Sequence, residues 1–226
     1  MSLSRGPKIV TNGLVLYLDA GNILSYPGSG TTWTDISRNG NNGTLTNGPT
    51  FSAGNQGSIV FDGVDDYVTG TVAASNSWTV SFWIYQTDIN TKIVYYPFSG
   101  ATSPITGIGF GGYLDASTQN RWWYYDGSTV FSSSNTAITV NTWYYLTISH
   151  VYGAGTGTHN FYTNGVLSYS PSVADKTFTT YNIARRSDGN LYNIPGRIPI
   201  VKIYNRDLSA TEVLQNYNVT KKRFGL

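Results

Sequence analysis

The sequence predicts an all-β protein, a β-sandwich or jelly roll with one short helix near its C-terminus. Three observations carry this. Branched and aromatic residues recur at alternate positions along many short segments, the strand signature. Asn-Gly and Asp-Gly dipeptides punctuate those segments, and such pairs supply the positive φ angles of tight hairpins. A single capping box stands near the end, at Ser209-Ala-Thr-Glu212, where Ser accepts from the N3 amide and Glu reaches back.

The segments follow in order. Leu14–Asp19 and Ser58–Phe61 alternate cleanly. In Trp78–Tyr85, Trp78, Val80, Phe82 and Ile84 share one face, and Thr79, Ser81, Trp83 and Tyr85 the other. The same texture returns at Lys92–Phe98, Ile105–Leu114, Arg121–Asp126, Trp143–Val151, His159–Thr163, Phe178–Ala184 and Arg197–Tyr204. Turns are expected at Asn12-Gly13, Asn39-Gly40, Asn47-Gly48, Asp126-Gly127, Asn164-Gly165 and Asp188-Gly189. Pro199 interrupts the last strand, where it removes a ladder donor unless it lies at an edge or bulge. The Gly-, Thr- and Asn-rich stretch 27–55 carries Trp33 and Phe51 and reads as ordered loops around short strands. Val213, Leu214 and Tyr217 give the helix its apolar stripe. The organisation expected is an N-terminal arm over 1–12, one sandwich over 13–208, and a helix with a basic tail over 209–226 packed on the same domain.

Composition narrows the chemistry. The chain has 226 residues, with 6 Trp, 18 Tyr and 9 Phe against 14 Lys/Arg and 12 Asp/Glu. One large β domain accounts for that length, and its core needs no covalent staples. With no cysteine, a disulfide framework, a thiolate zinc site and a cysteine nucleophile are excluded. No run is apolar for long enough to span a bilayer, and the opening residues lack the apolar core of a secretory signal. Membrane insertion and signal-directed export are therefore not expected. Residues 176–226 are basic, with Arg185, Arg186 and Lys221-Lys222-Arg223. Cations suit a solvated helix end, and a nucleic-acid-binding domain would be basic throughout. No nucleic-acid partner is expected.

The chain contains one glutamate, Glu212, which the capping box already explains. Lectin-like glycosidases need a closely spaced carboxylate pair as nucleophile and acid/base. The dense aspartates Asp62, Asp65 and Asp66 fall in a turn, where Asp bonds locally. No catalytic residue is assigned and no enzyme is expected. His150 and His159 lie on adjacent strands and would face each other, but two histidines without a clustered third ligand make a poor zinc site. Calcium takes oxygen ligands, which makes Asp35 in its Asn-rich loop and the Asp62, Asp65, Asp66 group its candidate ligands. Arg121-Trp-Trp-Tyr-Tyr-Asp126 is the richest aromatic segment. Trp122 and Tyr124 share one face and Trp123 and Tyr125 the other. One pair is expected in the core, and the exposed pair would stack on a sugar.

Gly13–Ala20, Trp33-Thr-Asp-Ile-Ser37, Asn41–Leu45 and Ser58-Ile-Val-Phe-Asp-Gly-Val-Asp-Asp-Tyr-Val68 together resemble the laminin-G-like, concanavalin A-like jelly-roll family. Ser81–Ile84, Thr142–Tyr144, the Phe161–Gly165 hairpin and the closing Gly196–Ser209 segment follow in the family's order. The resemblance spans nearly the whole chain. It implies a two-sheet antiparallel jelly-roll sandwich, used in sugar-binding, adhesive or structural modules. It also places Trp83 and Trp143 at framework positions, and implies calcium at a rim in many members. The termini, Leu3–Val10 and Asn216–Leu226, resemble those of stand-alone virion proteins of tailed, marine bacteriophages. That resemblance implies a non-enzymatic virion surface protein: a capsid decoration, fibre or adhesin module. Its partners would be other virion proteins and host-surface glycans, and copies would pair where an edge strand is free. A carbohydrate-binding adhesin on a cell surface is the alternative, and a glycan depolymerase the least favoured reading.

Overall fold

The computed structural model describes residues 8–88, 98–101, 108–113, 121–125, 130–137, 139–186 and 193–226. The strands run β1 (Leu14–Asp19), β2 (Thr32–Trp33), β3 (Gly43–Thr46), β4 (Thr50–Ser52), β5 (Ser58–Asp62), β6 (Tyr67–Thr71), β7 (Trp78–Gln86), β8 (Phe98–Ala101) and β9 (Ile108–Tyr113). They continue as β10 (Arg121–Tyr125), β11 (Val130–Ala137), β12 (Trp143–Val151), β13 (Thr156–Thr163), β14 (Val166–Tyr169), β15 (Ser172–Ala174), β16 (Thr180–Ile183), β17 (Pro195–Ile198) and β18 (Ile200–Tyr204). Helix α1 (Ala210–Thr220) runs into a 3-10 turn over Lys221–Phe224.

Two antiparallel sheets result. The first orders β14-β13-β12-β7-β17-β5-β4, with β15 on β13 and β18 between β7 and β1. The second orders β11-β10-β9-β8-β16-β6-β3-β2. This is the sandwich that the alternating segments predict. Pro199 falls between β17 and β18, so it removes no ladder donor. Strand β17 pairs with β5 and β18 with β1, so the proline marks where the neighbour changes. Its carbonyl accepts from Ala20 N at 2.8 Å. The Asn164-Gly165 turn has φ of 51° and 81°, the left-handed pair that a two-residue hairpin needs. The expected turns at 126–127 and 188–189, and the strand start at 92–97, lie outside the described residues.

The main core lies between the sheets. Val80, Phe82 and Ile84 of β7 meet Leu16 and Leu18 of β1, Ile59 and Phe61 of β5, and Phe98, Tyr181 and Ile183 of the opposite sheet. Each such side chain contributes about 1.5–3 kcal/mol on burial. The other face of β7 is buried as well. Trp83 packs with Trp143, Tyr145, Tyr162, Tyr204, Val213 and Phe224 in a second cluster beneath α1. Trp83 is thus a framework residue. Its indole N–H donates to Thr220 Oγ1 at 2.9 Å.

The capping box forms as expected: Glu212 N donates to Ser209 Oγ, and Ser209 N to Glu212 Oε2. Glu212 also holds Arg206 through both carboxylate oxygens. That guanidinium holds the Glu212 carboxyl down at about 2. Ser209→Ala is expected to lower stability by about 1 kcal/mol, measured by urea unfolding. The basic tail departs from expectation. Lys221 and Lys222 stay at the surface, but Arg223 turns inward and pairs with Asp19 at 2.6 Å. The described N-terminal residues dock on the same helix. Val10 N donates to Asn216 Oδ1, and Gln215 Nε2 to Lys8 O.

Candidate functional site

A cleft lies between the loop that follows β1 and the segment from β4 to the turn after it. Its first wall is the loop after β1. Asp19 Oδ1 accepts from Gly21 N, Asn22 Oδ1 from Leu24 N, and Ser25 Oγ donates to Thr34 O. These bonds hold Tyr26 inward, where its hydroxyl donates to Gly30 O at 2.9 Å. The second wall is Phe51 of β4, whose ring centroid lies 5.7 Å from that of Tyr26 at a tilt of 43°. The third is the turn over 54–57. Here Asn55, Gln56 and Gly57 all take positive φ. A Cβ on Gly57 would lie 2.6 Å from Ala20 O, so this close approach of the two loops requires glycine.

Arg223 ties the walls together. It pairs with Asp19, and its Nε and Nη2 donate to the carbonyls of Asn55 and Gly57. The resulting cleft of about 180 Å³ is lined by Gly21, Ile23, Tyr26, Pro27, Phe51 and Gln56, among others. Ile23 and Leu24 stand at its rim, 76% and 75% exposed. Burial pushes the Tyr26 hydroxyl's pKa up, so it stays neutral. The lining residues carry no full charge, and the Asp19–Arg223 pair that braces them is mutually neutralised. A small, largely apolar concavity with a few polar groups is what a small-ligand site looks like. Two aromatic rings and a glutamine amide suit the mixed surface of a sugar.

The sequence-predicted residues fall elsewhere. Trp122 and Tyr124 are core residues, 5% and 0% exposed. Tyr124 meets His159 edge-on at 4.1 Å. Burial corrects their candidacy as ligand contacts, because a ring packed between two sheets presents no face to a sugar. The side chains of Trp123 and Tyr125 lie outside the described residues. Asp35 is also corrected. Its carboxylate is buried and accepts from Tyr17 N, Ser37 N, Ser37 Oγ and Asn41 N. That fixes the loop to β1 and leaves little lone-pair capacity for a cation. Asp62, Asp65 and Asp66 do converge, with carboxylate oxygens within 4.8 Å of one another. Asp62 Oδ1 accepts from Val64 N and Asp65 N, and Asp66 Oδ2 from Asp62 N. Burial, then the charges of Asp62 and Asp65, push the Asp66 carboxyl up. Hard oxygens and negative charge fit calcium chemistry, yet the same oxygens build the turn.

His150 and His159 pair directly across β12 and β13, with ring centroids 4.7 Å apart. Both are fully buried, against Trp78, Tyr124 and Phe161. His150 Nε2 lies 3.2 Å from Asp175 Oδ1. Among the described residues no third ligand joins them in a metal-binding group. Of the cleft's two rings, the sequence reading noted Phe51 only as part of the loop stretch 27–55, and it did not single out Tyr26. The available signal was two aromatics, one before Pro27-Gly28 and one at 51, flanking a polar loop tract.

The geometry defines a lectin-like sandwich with a cleft between two of its loops. A profile of the Laminin_G_3 family, described as the concanavalin A-like lectin/glucanases superfamily, matches residues 54–214. The chain belongs to that superfamily. Residues 14–53 precede the matched range but are part of the same fold, since β1 pairs with β18. No curated protein matches the chain in sequence. Among solved structures it is similar to domain 4 of AbnA, a GH43 extracellular arabinanase from Geobacillus stearothermophilus, in complex with arabinotriose. Identity is 19%, TM-score 0.70, and coverage 90% of this chain and 98% of that one. The binding domain of Paraclostridial mosquitocidal protein 1 is 20% identical with TM-score 0.67, covering 92% and 52%. Trypanosoma rangeli sialidase is 15% identical with TM-score 0.65, covering 93% and 33%. The chain thus spans a whole domain of the first, about half of the second and a third of the last. At these identities the likeness is one of fold.

Proposed function

We propose that the chain is a non-enzymatic carbohydrate-recognition module that seats one unit of a neutral saccharide in the Tyr26–Phe51 cleft. The uncharged, aromatic-walled cleft carries this reading. The fold supports it, since the similar arabinanase domain was solved with arabinotriose. The single glutamate supports the non-enzymatic part, because Glu212 is held in the capping box by Arg206 and Ser209. The setting we propose is a bacteriophage virion surface. It is supported by the resemblance of both termini to phage virion proteins. Detection of the chain in purified particles of its phage tests that setting. Absence from them leaves a cell-surface lectin module.

A glycan array tests the cleft. The expected result is binding to neutral glycans that weakens about tenfold or more in Phe51→Ala, the ~1.4 kcal/mol scale of one stacked ring. Unchanged binding in Phe51→Ala overturns the assignment. Loss in Trp123→Ala instead moves the site to β10. Repeating the array in chelator assigns the cation role: binding that falls there involves Asp62, Asp65 and Asp66, and binding that persists rests on the aromatic cleft alone.

A further inference from the structure

The loop after β1 presents two aliphatic side chains at its tip. Ile23 and Leu24 are 76% and 75% exposed, the most open of the large apolar side chains among the described residues. Turn positions ordinarily favour Gly, Pro, Asn, Asp and Ser. The backbone here is locked. Asn22 N donates to Asp19 O, and Ser25 N and Tyr26 N both donate to Asn22 O. Leu24 N donates to Asn22 Oδ1 at 3.0 Å, and the Ser25 hydroxyl beneath them donates to Thr34 O. These bonds hold both aliphatic side chains away from the core, in water until a ligand covers them. A single exposed aliphatic is ordinary, but two in succession at a concave site extend its apolar surface. Ile23 lines the Tyr26–Phe51 cleft itself.

Hydrogen-bonding groups are scarce on the same side of the cleft. Among the lining side chains only those of Tyr26 and Gln56 are polar, and the Tyr26 hydroxyl already donates to Gly30 O. Main-chain donors of this wall are taken too. Ala20 N donates to Pro199 O, Gly21 N to Asp19 Oδ1 and Tyr26 N to Asn22 O, and Pro27 has no N–H. Arg223 gives its donors to Asp19 and to the carbonyls of Asn55 and Gly57. The Gln56 amide and the lone pairs of the Tyr26 oxygen remain for a ligand. A bare pyranose carries a hydroxyl on most of its ring carbons, and each is both donor and acceptor. A hydroxyl pressed against Ile23 or Pro27 exchanges water for carbon, which weakens binding. A methyl or acetyl group on that oxygen removes the donor and adds carbon for Ile23 to cover.

We infer that the ligand of the cleft is a neutral saccharide whose seated unit bears a small apolar substituent, an O-methyl or O-acetyl group, packed on Ile23 with Leu24 beside it. This rests on the carbohydrate reading of the cleft and names the class of sugar within it. The ring stacks on Phe51, the Gln56 amide meets free hydroxyls, and the substituent points to the β1 loop. Neither substituent carries charge, as the uncharged lining requires.

The test prints neutral bacterial polysaccharides on an array in matched forms: with their native O-acetyl groups, after mild alkali that removes them, and after partial O-methylation of the alkali-treated material. Titration then gives the affinity for each form of the best binder. One methyl group covered by Ile23 is expected to tighten binding about fourfold, which is ~0.8 kcal/mol. The form that shows the gain identifies the substituent. In Ile23→Ser the ratio between substituted and bare forms is expected to fall to about one. Its Tm is expected to stay within about 2 °C, because the side chain is exposed. Phe51→Ala is expected to weaken every form and keep their ratio. Equal affinity for all forms, or a preference that survives in Ile23→Ser, overturns the inference and leaves the carbohydrate reading in place. Silence of every form overturns both.

Discussion

Stability is expected to fall by roughly 2.7 kcal/mol as the pH drops from about 8 to 4.5, from His159 alone. Burial, then the neighbouring His150, pushes its pKa down from 6.5 to about 2. The sign follows from which state takes the proton. The unfolded chain protonates His159 below about 6.5 and the folded chain does not, so acid favours unfolding. The stabilisation is complete above the unfolded value and is lost at about 1.4 kcal/mol per pH unit towards the folded one. His150 acts in the same direction, since its burial outweighs Asp175. Against the ~5–15 kcal/mol of a typical domain, the loss is large. Urea unfolding at stepped pH measures it. In His159→Phe, which keeps an aromatic ring against Tyr124 and Trp78, the slope is expected to flatten. An unchanged slope in that variant would mean the ring is not buried neutral in the core.

The second large effect concerns the last turn of the chain. Phe224 is 6% exposed and stacks on Trp83 at 4.1 Å and against Trp143 at 4.7 Å. Phe224→Ala is expected to cost roughly 3–5 kcal/mol, read by calorimetry as a Tm drop of roughly 6–20 °C. Leu214, on the preceding helix α1 but 42% exposed, is expected to change stability by no more than about 0.5 kcal/mol when replaced by Ala. Equal effects at the two positions would refute the view that the C-terminal turn completes a core.

Much of the fold was legible because its signals are local. Period-two alternation gave β1, β7, β10 and β12, Asn164-Gly165 gave a hairpin, and Ser209 with Glu212 gave the start of α1. The thin strands β2, β3 and β4 were read only as unplaced short strands within 27–55, and β6 was not singled out, because Gly, Thr and Ser carry no alternation to read. The double burial of β7 was half visible. Thr79, Ser81 and Trp83 alternate with the core residues, but what covers them arrives more than a hundred positions later. The site was least legible. Rich aromatic density drew attention to Arg121–Asp126, where the described rings serve the core. The cleft depends on Tyr26 and Phe51 meeting across two loops, and on Arg223 bracing them from the far end of the sequence. Such a meeting has no local trace. Asp35 shows the same limit, since an oxygen-rich loop reads alike whether its carboxylate serves a cation or four protein donors.

The interlocking ends bear on how the molecule is made. Among the described residues strand β1 finds its partner in β18 alone, and Val10 is tied to Asn216 across 206 positions of sequence. During synthesis from the N-terminus, the first strand leaves the ribosome with an unpaired edge and keeps it until β18 has been added. This part of the sheet therefore cannot zip up vectorially; its closure waits for β18 to emerge. Long-range pairing of this kind slows folding, and the waiting edge is an aggregation hazard in the interim. The molecule therefore has a built-in window in which a chaperone or a low synthesis rate decides its yield, long before any ligand is met.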